Sequence, residues 1–319
     1  MGRYVLRRLA GAIPVLTGIV LLAFVMVQSM PGDPMRMLVP PELLSGSEGD
    51  EFLAARRARF GLDDPLVVQF GRWFWQMLQG NLGYSFHRNE PVAHILADRA
   101  GPTLLLMGSA MAVALLIAVP VGLFAAVRRN GVVDYVASTV SITFIAVPGF
   151  FTSLGAIYLF AVRLRWLPAG GMELGGIVEA FRHLVLPVGV LSMSLLGVYM
   201  RYTRQAALEV LNEPYITAAR ARGAPARWVI GKHVLKNAAI PIATVTIVQI
   251  PILVSGAIVT ETIFAWRGAG RVVFDSINTR DYPVIIGFTV VVAIVVVVSQ
   301  LLLDLLVAWL DPRVRTAGR

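Results

Sequence analysis

Long apolar runs, separated by short polar and basic segments, set the pattern of this 319-residue chain. Five or six of them approach or exceed the ~20 residues that an α-helix needs to cross hydrocarbon. They fall at residues 9–30, 103–127, 132–162, 184–200, 238–260 and 284–309, the fourth being the shortest. The runs are continuous instead of alternating with polar residues, which predicts spanning helices and argues against a β-barrel. Prolines punctuate them at 120, 148, 187, 241 and 251. Each is either a tolerated kink or, at the mid-run Pro148 and Pro251, a hinge or bend beside a cavity.

Between the first two runs lie residues 33–99, whose pattern is different. Residues 52–60 read as a short Ala/Arg-rich helix, and in 66–78 Val67, Phe70, Phe74, Met77 and Leu78 recur at three- and four-residue steps beside Trp73 and Trp75. That spacing predicts an amphipathic helix, lying in the membrane interface or packed into a small outer subdomain. Residues 45–50, SGSEGD, read as a flexible patch. The expected division is a first segment and span at 1–30, an outer subdomain at 31–100, and a transmembrane core at 101–319 containing a water-exposed loop at 201–237.

Composition agrees with a membrane protein. Hydrophobic residues make up 57% and charged residues 15%, and the mean hydropathy is +0.72; soluble chains are about a quarter charged. The basic start (Arg3, Arg7, Arg8) precedes an apolar run too long for a signal peptide, so a retained span is expected. The net charge of +9 is explained by topology and not by nucleic acid. Arginines and lysines gather at residues 3–8, 128–129, 201–236 and 313–319, and the third cluster holds seven Lys/Arg against Glu209 and Glu213. Six spans with both termini in the cytoplasm put every cluster on the inner side, as short basic loops require. Residues 33–99, with seven arginines against nine carboxylates, then lie outside.

Catalytic chemistry is not patterned in the sequence. Cysteine is absent, which excludes disulfides, thiol catalysis and iron–sulfur ligation. Lys232 follows Gly231, but Ala226 and His233 occupy positions where a phosphate-binding P-loop needs Gly and Ser/Thr. No histidine is followed by Glu, and no G-x-S-x-G nucleophile motif occurs. At membrane depth only Asp304 stands out as ionisable, with a cytoplasmic arginine as its expected partner. Gln249, with Ser255 on the same run, is the candidate for a side chain facing a transport pathway, with interhelical hydrogen bonding as the alternative.

The segment YITAARARGAPARWVIGKHVLKNAAIP, from Tyr215 to Pro241, is basic and broken by turns, yet it sits between two spanning runs. It resembles the cytoplasmic coupling loop of ABC-importer permeases, in the form found in dipeptide/oligopeptide and nickel importers. Thr217 stands where the general motif has Glu, and Leu235-Lys236 where it has Leu-Pro, both as in the peptide branch. Further blocks occur in that family's order: MGRYVLRRL, PGDP, FGLDDPLVVQFGRW, GNLGYS, RAGPTLLL, ETIFAWRGAGR, RDYPVIIG and LDPRVR. Arg267 departs from the proline usual before Gly268.

The resemblance implies an all-α membrane protein with the type I ABC importer permease fold and six spanning helices. It implies a non-catalytic permease for di- or oligopeptides, with nickel, haem, glutathione or a saccharide as alternatives inside the family and a secondary transporter outside it. The implied partners are a second homologous permease, two ATPase subunits that bind the ATP and magnesium, an extracytoplasmic substrate-binding protein facing 33–99, and the lipid of the cell membrane. Tyr215, Thr217, Ala218, Ala219, Gly223, Trp228 and His233 are the implied coupling residues. In physical terms, Ala218 and Ala219 permit close approach, Gly223 a turn, and Tyr215 and Trp228 aromatic anchoring.

Overall fold

A computed structural model describes residues 2–29, 47–61, 63–172 and 175–310. In chain order the helices are α1 (Gly2–Gln28), α2 (Ser47–Phe60), α3 (Leu66–Leu78), α4 (Val92–Val127), α5 (Val132–Ala146), α6 (Gly149–Ala156, running on as a π-helix over Ile157–Arg163), α7 (Ile177–Leu211), α8 (Pro214–Ala221), α9 (Ala226–Trp228, running on as a π-helix over Val229–Leu235), α10 (Lys236–Ile263), α11 (Ala269–Thr279) and α12 (Tyr282–Leu310). Among the described residues, β-structure is limited to one isolated bridge between Tyr84 and Pro91. Five helical stretches are long and apolar enough to span: Ala10–Gln28, Val92–Val127, Ile177–Leu211, Ala226–Ile263 and Tyr282–Val307. The PGDP and LDPRVR blocks and the C-terminal arginines lie wholly or almost wholly outside the described residues.

The sixth expected span, 132–162, is broken. α5 and the α6 segment meet at 98°. Pro148 has no amide hydrogen to give α5 and pushes Val147 out of the helical region; Val147 is extended at φ −80°, ψ 123°. The other prolines in question, Pro187, Pro241 and Pro251, sit inside continuous helices. α7 runs far past the expected 184–200, and its 35 residues span about 50 Å at 1.5 Å per residue. Arg201 and Arg204 therefore ride on a helical extension of the span.

The chain divides into two compact units. The first comprises residues 1–102 and 268–297. Its core joins Phe24 and Val27 of α1, Leu53 of α2, Phe86, and Tyr282 and Ile286 of α12, with Phe70 and Trp73 of α3 packed against it. α3 keeps the limits its three- and four-residue spacing predicts, but Trp73 turns inward and Trp75 outward. Residues 47–50, read as flexible, begin α2 instead. The loop before α4 is tied down by Asp281, whose buried carboxylate accepts the Ser85 hydroxyl and the Phe86 amide at 3.0 Å. Ser85 Oγ in turn accepts the Arg88 amide at 2.9 Å. The GNLGYS and RDYPVIIG blocks, nearly two hundred residues apart in sequence, thus meet at one carboxylate.

The second unit comprises residues 103–267 and 298–319. Close helix approach relies on small residues, as is usual between membrane helices. A Cβ on Gly122 would lie 2.8 Å from Met200 O, and one on Gly197 2.6 Å from Ser141 O, so α7 is pressed against both α4 and α5. Ala110, Ala114 and Ala118 form a fully buried strip of α4. Ionisable groups that the sequence reading did not single out are also buried here. Glu261, just past the end of the apolar run at 238–260, is fully buried in the last turn of α10 and accepts the Thr103 hydroxyl at 2.6 Å. Asp134 is 4% exposed and is held by Arg204. Asp304 is half-buried on α12.

Asp281→Ala should lower stability by about 2–4 kcal/mol, because a buried amide and hydroxyl lose a charged acceptor. Asp281→Asn keeps one acceptor oxygen and should cost less. Thermal unfolding of the purified protein in detergent reads both; equal, negligible effects would remove Asp281 from the role assigned to it.

Candidate coupling surface

Residues 214–237 fold into a compact helical hairpin on the ends of the spanning helices. α8 begins with Pro214 at its first position, where the missing amide costs nothing. It ends at Gly223, whose φ of +82° lies in the left-handed region. The Gly223 amide donates to Arg220 O at 2.9 Å and the Ala224 amide to Ala219 O at 3.1 Å. This pair of bonds is a Schellman closure, the arrangement that favours glycine. A Cβ at Gly223 would meet nothing within 4 Å, so backbone conformation and not crowding requires glycine here.

One face of α8 is internal. Ile216 and Ala219 are buried with Ala126 of α4, Ala207 of α7, and Val229 and Val234 of the π-helix; Leu123, Leu208 and Leu211 pack around them. α8 is thereby packed against the ends of α4 and α7 and against the π-helix that leads into α10. The opposite face is open: Tyr215, Thr217 and Ala218 are exposed, as is Trp228. Of the two alanines expected to admit a close partner, Ala218 is available, whereas Ala219 is 6% exposed and filled by the chain's own core.

Around that open face the aromatic residues converge. Trp228 meets His233 edge-on with ring centroids 4.8 Å apart, and Tyr215 lies 5.9 Å from His233. Lys232 Nζ stands 4.8 Å over the Trp228 ring. Asn237 Nδ2 donates to the Tyr215 hydroxyl at 3.1 Å and to His233 O at 2.8 Å. Tyr215, Trp228 and His233, eighteen residues apart at the extremes, form one cluster at the root of the hairpin.

Arg204 of α7 and Asp134 of α5 form an ion pair that ties those two helices together. The guanidinium takes both carboxylate oxygens, Nη2 to Oδ2 at 2.9 Å and Nε to Oδ1. Asp134 Oδ2 also accepts the Asn130 amide at 3.0 Å, closing the turn between α4 and α5. Bidentate pairing with an additional amide is the geometry in which a low-exposure ion pair holds position. The sequence signal was present in Asp134, an acid just inside a predicted span, but its partner seventy positions away was not.

Gln249 and Ser255 differ in exposure. Gln249 is 8% exposed within the fold of the chain and Ser255 is exposed on α10.

A polytopic helical protein with a basic helical hairpin between two spans is the class that these features define. A profile described as binding-protein-dependent transport system inner membrane component matches residues 118–316, and one for the N-terminal part of such membrane components matches residues 1–107. The chain belongs to this family, the permease subunits of ABC importers.

A Brucella suis biovar 1 protein whose name assigns it provisionally as a peptide permease is 42% identical over 99% of both chains. The oligopeptide transport system permease protein AppB of Bacillus subtilis is 39% identical over 98% of this chain and 99% of its own. The glutathione transport system permease protein GsiC of Salmonella typhimurium is 37% identical over 99% of both. Among solved structures, the inward-facing MetNI methionine ABC transporter matches in fold, with a TM-score of 0.55, 18% identity, and coverage of 68% of this chain and 96% of that one.

Replacing Gly223 by Asn, which tolerates positive φ, should cost less stability than Gly223→Val by about 1 kcal/mol or more. Ala219→Glu would bury a charge and should destabilise the protein markedly, while Ala218→Glu should leave melting unchanged. Melting curves of the four variants distinguish the inner from the outer face; equal behaviour of the two alanine variants would contradict it.

Proposed function

We propose that the chain is one of two transmembrane subunits of an ATP-driven importer of di- or oligopeptides. Its relatives with peptide and oligopeptide names support that substrate class, and glutathione, itself a small peptide thiol, falls within the same reading through GsiC. Separate ATPase subunits bind ATP and magnesium and hydrolyse the nucleotide, a second permease completes the pathway, and an extracytoplasmic binding protein delivers the substrate. Both termini and the 214–237 hairpin face the cytoplasm, because the short basic segments partition there.

One observation carries the mechanism: α8 has an open face and an inner face packed into the ends of the spanning helices. Closure of the ATPases around ATP would press on Tyr215, Thr217, Ala218 and Trp228. Ile216 and Ala219 would pass that displacement to α4, α7 and α10 without loss, since close-packed cores do not deform continuously. Outward opening of the pathway follows, and hydrolysis with release of the ATPases resets it. Gly223 holds the hairpin's turn, and Arg204–Asp134 keeps α7 from yielding under the load.

Two experiments test the proposal. Ala218→Glu and the double variant Tyr215→Ala/Trp228→Ala, expressed with the cognate partners, should insert normally yet lower uptake by about tenfold or more, the loss expected for central contact residues. ATPase activity should lose its response to loaded binding protein. Wild-type uptake and stimulation in both would refute the coupling role. In this cysteine-free chain, Gln79→Cys should react with an impermeant thiol reagent in intact cells, and Gly131→Cys and Ala226→Cys only after permeabilisation; the reverse pattern would invert the orientation.

A further inference from the structure

The geometry points to α3 as an interfacial helix, with the arc of Val67, Gly71, Trp75 and Leu78 seated in the acyl–headgroup boundary of the bilayer. α3 is bound to the end of the first span, within the same compact unit. Gln28 Nε2, on the last residue of α1, donates to Gln69 Oε1 at 3.0 Å. Phe24 meets Phe70 edge-on at 5.3 Å. The spanning part of α1, Ala10–Gln28, has 19 residues and so covers about 28 Å at 1.5 Å per residue, close to the thickness of the hydrocarbon. Phe24 lies one turn inside Gln28, about 6 Å deeper. A helix that touches both residues stands beside the end of the span, at the level of the boundary, instead of on top of it.

The side chains of α3 sort into three sectors by the 100° helical step. Gln69, Arg72 and Gln76 form a polar edge on a cavity of about 540 Å³ that Gln28, Asn81 and Asn89 also line. Arg72 is the helix's one charged residue and is held by Asp64 at 2.8 Å. Phe70 and Trp73 form the inner sector, against the core. The third sector is apolar and uncovered: Val67 is 83% exposed, Trp75 64% and Leu78 62%. At the same depth α1 exposes Leu22, Val25 and Met26, so the arc extends a surface that lipid already covers. A wet polar edge, a packed inner edge and an apolar edge bearing Trp are what an interfacial helix requires. A protein-facing surface would be expected to carry polar specificity groups along its rim, and this arc carries none.

The test uses the permease complex in nanodiscs, with single cysteines labelled by the environment-sensitive fluorophore NBD. Val67→Cys, Trp75→Cys and Leu78→Cys should be quenched by phosphatidylcholine spin-labelled near the headgroup at least about threefold more strongly than Arg72→Cys and Gln76→Cys, with iodide in the water giving the opposite order. Iodide quenching the first three positions as strongly as the last two would place the arc in water and overturn the proposal. Protection of the first three from both quenchers would make the arc a protein interface and overturn it equally.

Discussion

A backbone or side chain that is polar must find partners before it can be placed in or beside hydrocarbon, since water is not there to supply them. The rest of this structure depends on how that constraint is met. The helices satisfy their own amides and carbonyls, and the places where the chain leaves the helical state are closed by a few buried carboxylates. Asp134 closes the α4–α5 turn and holds Arg204 of α7. Asp281 closes the 85–88 loop at the start of α12. Glu261 takes the hydroxyl of Thr103 as α10 ends. Each sits at or beside a helix terminus, where the backbone turns irregular.

The same constraint bears on the coupling role proposed for the hairpin at 214–237. A basic loop hanging in water would absorb a push by bending. Here the loop is helical, Ile216, Ala219, Val229 and Val234 pack into the ends of the spans, and a Schellman closure at Gly223 fixes its turn. Two faces of an eight-residue helix divide the labour, one docked inward and one left open.

Much of this was legible in the sequence because long apolar runs and three- and four-residue spacing are local signals. They located the spans and the limits of α3, while the turn at Gly223 came from the glycine in the segment that resembles a coupling loop. What was missed depended on contacts distant in sequence. Pro148 could have been a mild kink, and only the packing of α5 and α6 against α7 shows a 98° break. Glu261 looked like a loop residue because a carboxylate beside an apolar run normally marks its end. Asp134 was not singled out, because its partner Arg204 lies seventy positions away on α7. Ala218 and Ala219 are indistinguishable by composition; the phase of a short helix, set by Ile216 docking, buries one and exposes the other.

The central claim is that the open face of α8 is the surface through which a partner moves the membrane helices. The most direct measurement is the thiol reaction rate of Ala218→Cys in the detergent-solubilised permease pair, compared with the same pair assembled with its ATPase subunits and ATP. The account predicts that assembly slows labelling at 218 by an order of magnitude or more, and that a short bifunctional reagent links that cysteine to an ATPase subunit. Unchanged labelling and no cross-link in a complex that still hydrolyses ATP would contradict it.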